Sequence, residues 1–289
     1  MNDHEPAPVI QVVMAVRNRS ALTEQAVHRA RESASVAGVA LRWVVYDDGS
    51  TDDTLSVLEA LLDRQDNVIR GDGTAYWAGG MRQAMSAAAA WEQPFSYLLM
   101  LNDDSMLYPS ALSSLVSAVT VAPMTMAVGT FVEPGTGQRT YGGARRASRW
   151  KRLTFVPTEQ EPFLRVDVMN ANAVLLTADV FRRLGPLRRP YTHGLADFDF
   201  ALYARRRSVQ VILAADIVGE CRLNTTTGEW FNPRLPLSER WALLRSPKGL
   251  PPLEWVIYCL RHGSFLGPLY ALSPLVRLLA ATRQRRNLS

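Results

Sequence analysis

The chain has 289 residues, of which 47% are apolar and 20% charged, and its formal net charge is +5. This composition is typical of a globular protein with a sizeable core, and it excludes a disordered chain or a fibrous repeat. Arginine supplies almost all of the positive charge, since Lys151 and Lys248 are the only lysines. The arginine clusters are not interleaved with aromatic residues, so the sequence disfavours a nucleic-acid partner.

The N-terminal residues and the two cysteines indicate the cellular compartment of the protein. Residues 1–6 lack the basic and apolar regions of a secretory signal, which predicts a cytoplasmic protein. Cys221 and Cys259 lie far apart in apolar contexts, and we expect two buried thiols rather than a disulfide or a metal pair.

Apolar runs alternate with helical periodicity from residue 9 to about residue 131. This alternation predicts an α/β domain with right-handed crossovers and a mainly parallel sheet. Strands are expected at residues 9–16, 41–46, 67–70 and 97–101, and helices at residues 20–37, 51–62, 81–91 and 110–119.

The pattern changes after residue 131. Residues 133–143 are rich in Gly, Pro and Thr, and residues 149–156 are typical of a hairpin arm, which predicts antiparallel or irregular elements. Further strands are expected at residues 166–176 and 209–213, and helices at residues 178–184 and 199–207.

The tail from residue 253 onward carries apolar helix faces with arginines beside them, at residues 254–260 and 274–281. Glycine and proline interrupt it too often for a membrane-spanning helix. Two interpretations stay open at this point. The basic amphipathic helices could lie in the plane of an anionic membrane, or they could pack against the domain or a partner subunit.

Two apolar strands each run into a pair of aspartates, Asp47 with Asp48 and Asp103 with Asp104. Ligands of open α/β sheets bind outside the carboxyl ends of the strands, so both pairs are expected at one edge of the sheet. Neighbouring carboxylates repel each other. A divalent cation that carries a phosphorylated ligand would relieve this repulsion.

These motifs resemble those of the family 2 glycosyltransferases of the GT-A fold. The resemblance covers residues 9–223 and rests on the strings VVMAVRNR at 12–19, DDGSTDDT at 47–54 and NDD at 102–104. It implies a Rossmann-like sheet flanked by helices, with a C-terminal helical extension. The expected divisions are a GT-A domain at 1–225, comprising a nucleotide-binding half at 9–131 and an acceptor half at 132–225, and an extension at 226–289.

Two further strings, GDGTAYWAGGM at 71–81 and ADFDF at 196–200, resemble the bacterial rhamnosyltransferases of O-antigen and cell-wall glycan assembly. The resemblance implies a nucleotide-sugar donor, with dTDP-L-rhamnose as the first choice and a UDP-linked sugar as the alternative. It also implies Mg2+ or Mn2+ and a glycan or polyprenyl-linked acceptor. The basic tail would then hold the enzyme at the inner face of the cytoplasmic membrane.

The resemblance assigns the nucleotide to the first two strand ends. Asp48 is expected to accept the imide N–H of the base, with Asp47 as the less favoured alternative. Each of them also has an interpretation as a turn-capping aspartate. Ala15 and Arg17 would flank the nucleotide.

Residues 76–80 are expected beside the donor sugar. Glycine permits a close approach of the backbone, which predicts that Gly79 and Gly80 pass near the nucleotide sugar. Trp77 would form an aromatic wall there, although core packing explains a tryptophan equally well.

The string NDD stands where the family has its metal-binding D-x-D motif. A departing nucleoside diphosphate develops negative charge, and a divalent cation neutralises it. By resemblance Asp104 would hold the metal and Asp103 would lie nearer the ribose or sugar. Asn102 departs from the pattern at the first acidic position, and an Asx turn is the structural alternative.

Asp197 is the expected general base. Related enzymes carry an acidic pair at the start of a helix, and here Ala196 replaces the first acid. A carboxylate within reach of an acceptor hydroxyl can take its proton as the glycosidic bond forms. Asp199 would face away by helical spacing, and a helix-capping role is the alternative for both aspartates.

Four residues are weaker candidates for contact with the acceptor or the diphosphate: His193, Asn172, Asp199 and Lys248. Asn170 would reach donor-sugar hydroxyls together with Asn172. Two other classes of protein stay open, a nucleotidyltransferase and a non-catalytic protein that binds glycan or nucleotide. A dinucleotide-binding dehydrogenase is disfavoured because no G-x-G-x-x-G follows the first strand.

Overall fold

The computed structural model describes residues 7–224 and 229–286. Its strands are β1 (Val9–Val16), β2 (Ala40–Asp47), β3 (Asn67–Arg70), β4 (Tyr97–Leu101), β5 (Met106–Leu107), β6 (Thr125–Val132), β7 (Arg139–Tyr141), β8 (Gly143–Arg146), β9 (Phe155–Pro157), β10 (Val168–Met169), β11 (Ala173–Thr177) and β12 (Gln210–Glu220). Its helices are α1 (Ser20–Ala37), α2 (Thr54–Leu61), α3 (Tyr76–Ala89), α4 (Ala111–Thr120), α5 (Ala178–Leu184), α6 (Ala196–Arg206), α7 (Leu237–Arg245), α8 (Pro252–His262), α9 (Gly267–Ala271) and α10 (Ser273–Arg286).

One large sheet organises these elements. Its strand order is β3-β2-β1-β4-β11-β6-β12-β5, and β7 pairs with β6. The first four strands run parallel, whereas β11 is antiparallel to both β4 and β6. The α/β architecture with flanking helices is confirmed. The sheet is mainly parallel, as expected, because β6 and β12 run in the same direction as β1–β4, and the antiparallel strands β5, β7 and β11 make it mixed.

Strand β6 is the main element that the sequence patterns do not predict. All eight of its residues are buried, and it lies between β11 and β12. A strand that is covered on both faces shows no alternation of apolar and polar residues, so the periodicity of the sequence does not identify it as a strand.

Other elements have different bounds from those expected. Helix α3 begins at Tyr76 rather than at residue 81, so Gly79 and Gly80 both lie inside a helix. The expected hairpin arm at residues 149–156 has strand only at its end, in β9. Residues 170–172 form a turn between β10 and β11.

Apolar side chains fill both faces of the sheet. Helices α1, α2 and α4 cover one face, and α3, α5 and α6 cover the other. Gly80 lets α3 lie close to β1, because a β-carbon at this position would be 2.9 Å from Cβ of Ala15 and 2.9 Å from Cδ1 of Tyr46. This close packing places the start of α3 directly at the ends of β1 and β2.

The helices after residue 229 pack on one another and on the acceptor half. Trp230, Leu244 and Leu278 form a small buried cluster, and α8 contacts α6. The expected domain boundary at residue 225 falls on residues 225–228, outside the described residues. None of the described helices is long and apolar enough to cross a membrane.

Asp199 connects α6 to α8 through a buried polar network. Its carboxylate accepts hydrogen bonds from Arg188 at 2.8 and 3.0 Å and from the Tyr191 hydroxyl at 2.9 Å, and it lies 2.8 Å from Nε2 of His262. Burial raises the pKa of Asp199, but the His262 hydrogen bond, the Arg188 charge and the Tyr191 hydrogen bond together outweigh it. The pKa therefore lies below its usual value of 3.8.

We expect Asp199→Asn to lower the free energy of unfolding by about 3–5 kcal/mol at pH 7, because it removes a buried carboxylate and leaves the partly buried guanidinium groups of Arg188 and Arg261 without their counter-charge. A lowered pKa stabilises the fold above pH 3.8, and this contribution disappears as the pH falls through the folded-state pKa, so the deficit should shrink in acid. Urea unfolding measures both effects. As a control, Asp179→Asn breaks the exposed pair with Arg182 and should cost less than about 1 kcal/mol. Equal losses in the two variants would contradict the prediction.

Candidate active site

The carboxyl ends of β1 and β4 meet at an ion-pair cluster. Nη1 of Arg19 lies 3.0 Å from Oδ1 of Asp103 and 2.7 Å from Oδ2 of Asp104. Asp103 is buried, and burial raises its pKa to about 7 although the charge of Arg19 opposes this. The aspartate pair thus holds one cationic atom between its two carboxylates.

The aspartates after β2 bind backbone amides. Asp48 is buried, and it accepts hydrogen bonds from the amides of Ala75 at 3.1 Å and Tyr76 at 2.8 Å, one on each oxygen. Asp47 accepts one from the amide of Ser50 at 3.0 Å, which is the turn-capping contact. Both oxygens of Asp48 are engaged at the start of α3. To contact a base, Asp48 would have to exchange at least one of these bonds.

Arg17 bridges the loop after β1 and the loop before α3. Its Nη1 donates to the carbonyl of Gly73 and lies 4.0 Å from Oδ2 of Asp48. The Arg17 side chain is about half exposed, at 47%. Its guanidinium is therefore accessible to an anionic ligand.

The start of α3 is held to the aspartates after β4. Nε1 of Trp77 donates to Oδ1 of Asn102 at 2.8 Å, so the residue at the first acidic position of the family motif anchors an indole. Gly79 is partly exposed, whereas Gly80 is buried against Ala15 and Tyr46. Helix packing thus explains the glycine at position 80, and the expected approach of Gly80 to a donor sugar stays a prediction.

Asp197 lies in the first turn of α6 and is partly buried. Its Oδ1 accepts a hydrogen bond from the amide of Phe198 at 2.8 Å. Burial raises the pKa of Asp197 to about 6, even though this hydrogen bond and the nearby polar groups of Ala171 and Asn170 lower it. A partly accessible carboxylate with a raised pKa is suited to accept a proton near neutral pH.

The turn at residues 170–172 connects Asp197 to the aspartate pair. The side chain of Asn170 lies near Asp197, and the carbonyl of Asn172 accepts a hydrogen bond from the amide of Asn102 at 3.0 Å. Two residues of chain span at most about 7 Å, so the loops of Asp197 and of Asp103 are neighbours. The side chain of Asn172 is buried and donates to Ser105 and Cys221. The amide of Asn172 is thus engaged within the protein, and its expected contact with a substrate stays a prediction.

His193 and Lys248 come to the same place from distant segments. Burial lowers the pKa of His193 to about 4, and the charges of Lys248 and Arg19 lower it further. Nδ1 of His193 is buried and has no hydrogen-bond partner within residues 7–224 and 229–286. The carbonyl of the neighbouring Thr192 accepts a hydrogen bond from the amide of Ala78, which holds this loop against α3.

Asp199 does not belong to this cluster. It is 1% exposed, and its carboxylate faces Arg188, Tyr191 and His262. The proposed contact of Asp199 with an acceptor or a diphosphate is wrong in this structure, and its facing away from Asp197 agrees with the helical spacing.

Three residues with positive φ line the cluster. Asn18, Tyr76 and Leu195 have φ angles of 51, 53 and 64° and directly precede Arg19, Trp77 and Ala196. Such backbone conformations are unfavourable for residues other than glycine, and they persist where the surroundings determine them, often at functional sites. Each marks the point at which a loop of the site enters a helix.

The model of glycosyl transferase family 2 matches residues 11–185, which is more than half of the chain. The chain belongs to glycosyl transferase family 2. A search of curated proteins finds no match.

Three solved structures share the fold of this family 2 member. GalNAc-T7 with UDP, GalNAc and Mn2+ is 18% identical, with a TM-score of 0.56, and the alignment covers 76% of this chain but only 45% of GalNAc-T7. The mannosyltransferase PcManGT from Pyrobaculum calidifontis, in complex with GDP-Man and Mn2+, is 15% identical with a TM-score of 0.55, over 99% of this chain and 79% of that one. S. aureus TarS 1–349 is 12% identical with a TM-score of 0.53, over 95% and 73%. At these identities the likeness establishes the fold.

The aspartate pair of this family 2 member fits a divalent cation. Its carboxylates already converge on a single positively charged atom of Arg19, and oxygen donors are those that Mg2+ and Mn2+ prefer. In the described ranges, no group of three or more His, Cys, Asp or Glu residues could hold a metal. Asp103 and Asp104 would therefore supply only part of a coordination shell. This arrangement suits a metal that also binds phosphate oxygens.

Two residues acquire roles that sequence reasoning missed. Arg19 pairs with both aspartates across 84 and 85 residues of chain, and the side chain of Asn170 lies near the candidate base. Arg19 does lie within the string VVMAVRNR, so its position at the end of β1 was available as a signal. The proximity of Asn170 to Asp197 depends on tertiary structure, and no local pattern indicates it.

We expect Arg19→Gln to destabilise the metal-free protein by about 1–3 kcal/mol at pH 8, because it leaves Asp103 buried without the charge that Arg19 supplies. Saturating Mn2+ should remove most of this deficit, since the cation would replace the lost charge. Thermal unfolding with and without Mn2+ measures both. Arg29→Gln, which breaks an exposed pair with Glu32, is the control. A deficit of the same size in the presence of Mn2+ would show that Arg19 and the metal do not share a site.

Proposed function

We propose that this family 2 member is an inverting, metal-dependent glycosyltransferase that moves a sugar from a nucleotide donor to a hydroxyl group. One observation carries the proposal. Burial raises the pKa of Asp197 to about 6. Residues 170–172 separate Asp197 from the loop in which Asp103 and Asp104 both contact Nη1 of Arg19. A proton acceptor beside a cation-binding carboxylate pair is the arrangement that sugar transfer from a nucleoside diphosphate needs.

In the proposed reaction, Asp197 takes the proton of the acceptor hydroxyl as its oxygen forms a bond with the anomeric carbon. The bond between that carbon and the diphosphate oxygen breaks on the opposite face, and the nucleoside diphosphate leaves with the bonding electrons. A divalent cation on Asp103 and Asp104 would neutralise charge on this leaving group. Arg19 supplies further positive charge beside these aspartates, Arg17 beside Asp48, and Lys248 near His193.

The neutral imidazole of His193 is a candidate to donate a hydrogen bond to the donor or to the acceptor. The lowered pKa of His193 keeps the ring uncharged at neutral pH, and its buried Nδ1 has no partner within the described residues. Trp77, held by Asn102, would form a wall of the donor site. The roles of Ala15, Asp47, Asp48 and Gly79 toward the nucleotide stay predictions.

For the donor we propose a nucleotide sugar, with dTDP-L-rhamnose as the first choice and UDP-linked sugars as the alternative. The UDP and GDP-Man complexes of two proteins of the same fold support the donor class. The choice of rhamnose rests on the strings at residues 71–81 and 196–200. The proposed acceptor is a glycan or a polyprenyl-linked glycan of bacterial surface polysaccharide synthesis. The cytoplasmic location stays a prediction.

Nucleotide binding and transfer test the proposal together. Thermal unfolding is followed with dTDP, UDP and GDP, each with and without Mn2+, because a ligand stabilises the fold in proportion to its occupancy. We expect one nucleotide to raise the melting temperature only when Mn2+ is present, and its sugar conjugate to be consumed. Metal-independent stabilisation without consumption of any donor would instead indicate the non-catalytic nucleotide-binding protein. The family match does not support a nucleotidyltransferase.

The pH dependence of transfer should follow Asp197. Its carboxylate accepts a proton only when it is ionised, so kcat should fall about tenfold per pH unit below pH 6. His193, with a pKa of about 4, stays neutral over most of this range. The pH profile of kcat is measured at a saturating metal concentration, so that loss of metal on protonation of Asp103 does not lower kcat. A kcat that stays constant between pH 7 and pH 5 would contradict the assignment.

A further inference from the structure

Helix α8 has a buried polar face and an exposed apolar face. Glu254 accepts a hydrogen bond from the Thr192 hydroxyl at 2.8 Å, and His262 lies against Asp199, so the inner face holds the loop that leads to Asp197. The opposite face carries three exposed apolar side chains, Leu253, Val256 and Leu260. Their spacing of three and four residues places them along one side of the helix.

The apolar surface continues beyond α8. Nine of the twenty exposed large apolar side chains in the described residues fall within residues 253–279. Besides the three on α8 they are Phe265, Leu269, Leu272, Leu275, Val276 and Leu279, with Phe265 80% exposed. Monomeric proteins that work in water rarely concentrate apolar groups in this way, so the surface indicates a binding site.

A basic loop from another part of the chain adjoins this surface. The Tyr270 hydroxyl donates to the carbonyl of Trp150 at 3.1 Å, and the Trp255 indole donates to the carbonyl of Tyr270 at 3.1 Å. Trp150 is 68% exposed, and the basic residues Arg149, Lys151 and Arg152 flank it. The hydrogen bonds of Tyr270 thus place an aromatic and basic loop beside the apolar helices.

The charge of the surface has one sign. Between residues 252 and 280 the single acidic residue is Glu254, which is buried and faces Thr192. Arg261 faces inward to Asp199 and Tyr191, whereas Arg277 is exposed on α10 and adds its positive charge to that of the loop at residues 149–152. Exposed leucines and phenylalanine, a tryptophan at the edge and several basic residues are the features of a surface that lies in the interface of an anionic bilayer. Two copies of this chain joined through the same surface would bring like charges together.

We propose that α8, α9, α10 and residues 149–152 form a docking surface for an anionic lipid bilayer. The apolar side chains enter the boundary between headgroups and acyl chains, and the basic residues contact the lipid phosphates. Because the inner face of α8 holds the loop leading to Asp197, docking brings the proposed acceptor side of the site close to the bilayer. This last consequence rests on the proposed function, whereas the docking does not.

Vesicle co-sedimentation without nucleotide or metal tests the docking apart from the enzymatic activity. We expect the full chain to sediment with vesicles of phosphatidylcholine containing 30% phosphatidylglycerol at low salt. It should bind at least tenfold more weakly to phosphatidylcholine alone, and more weakly in high salt. Absence of sedimentation with the anionic vesicles at low salt would overturn the proposal.

Three double variants locate the surface. Leu260→Glu with Leu269→Glu should reduce binding at least tenfold, and Arg149→Glu with Lys151→Glu should do so for anionic vesicles. Val36→Glu with Val121→Glu, which changes exposed apolar residues elsewhere, should bind as the unchanged protein does. Thermal unfolding confirms that each variant is folded. If the helix variant binds vesicles normally but dissociates a dimer in analytical ultracentrifugation, the surface is a contact between copies and the proposal is wrong.

Discussion

Asp197→Asn should abolish sugar transfer while leaving the affinity for the nucleotide nearly unchanged. An asparagine keeps the acceptor oxygen that faces the Phe198 amide but cannot take a proton, and loss of a general base costs about 10²–10⁴-fold in rate. The measurement pairs kcat with nucleotide binding by calorimetry. Residual turnover within about tenfold of the unchanged enzyme would remove Asp197 from the role of base.

The same substitution should stabilise the protein at pH 8. Burial raises the pKa of Asp197 to about 6, so the fold disfavours the ionised carboxylate above that pH, and a neutral amide removes the cost. As the pH falls through 6 toward 4, Asp197 becomes protonated in the fold and the advantage of the variant should disappear.

Asp199→Asn provides a matched comparison on the same helix. The pKa of Asp199 lies below its usual value because of its hydrogen bonds and ion pairs, so its replacement should destabilise the protein at pH 8. The two variants should therefore shift the melting temperature in opposite directions at pH 8. Between pH 8 and pH 4 the gain of Asp197→Asn should fade, whereas the deficit of Asp199→Asn should stay nearly constant, because Asp199 remains ionised down to below pH 3.8. Shifts of the same sign at pH 8 would show that the two carboxylates do not differ in environment.

Asp104→Asn should remove metal-dependent donor binding. The Asp104 side chain is one-third exposed, more than that of Asp103, and its Oδ2 already lies 2.7 Å from a cationic atom. Loss of one of two carboxylate ligands should weaken Mn2+ binding by about tenfold or more, and transfer should fall accordingly. Calorimetric titration with Mn2+, in the presence of the nucleotide, measures the first effect.

Asp53→Asn serves as a control, because it removes the same negative charge as Asp104→Asn. Asp53→Asn removes an exposed carboxylate whose side chain makes no capping hydrogen bond to α2. It should leave both Mn2+ affinity and transfer within about twofold. If Asp53→Asn and Asp104→Asn weaken Mn2+ binding equally, the metal responds to net charge and the assignment of Asp104 as a ligand fails.

Much of the fold could be predicted because the signals are local. The expected bounds of β1, β3, β4, α1 and α5 agree with those observed. Apolar residues that recur every two or 3.6 residues, and glycines at the ends of the elements, are signals within short stretches of sequence. The buried strand β6 has no such period, and its place between β11 and β12 depends on pairing over long stretches of chain. The mixed direction of the sheet follows from those pairings.

The sequence by itself determined the family, the strand ends that carry aspartates, and Asp197 as the candidate base, because these lie in short strings of adjacent residues. Tertiary structure alone decided the neighbours of those carboxylates. In the folded chain Arg19 contacts both Asp103 and Asp104, and Asp48 accepts hydrogen bonds from the backbone at the start of α3.

Tertiary structure also buried Asp199 beneath α8, across 63 residues of chain. The pKa of a carboxylate and its access to a ligand depend on burial and on charges within a few ångströms. Residues distant in the chain supply both, so these properties follow from the packing of the domain and not from any local pattern.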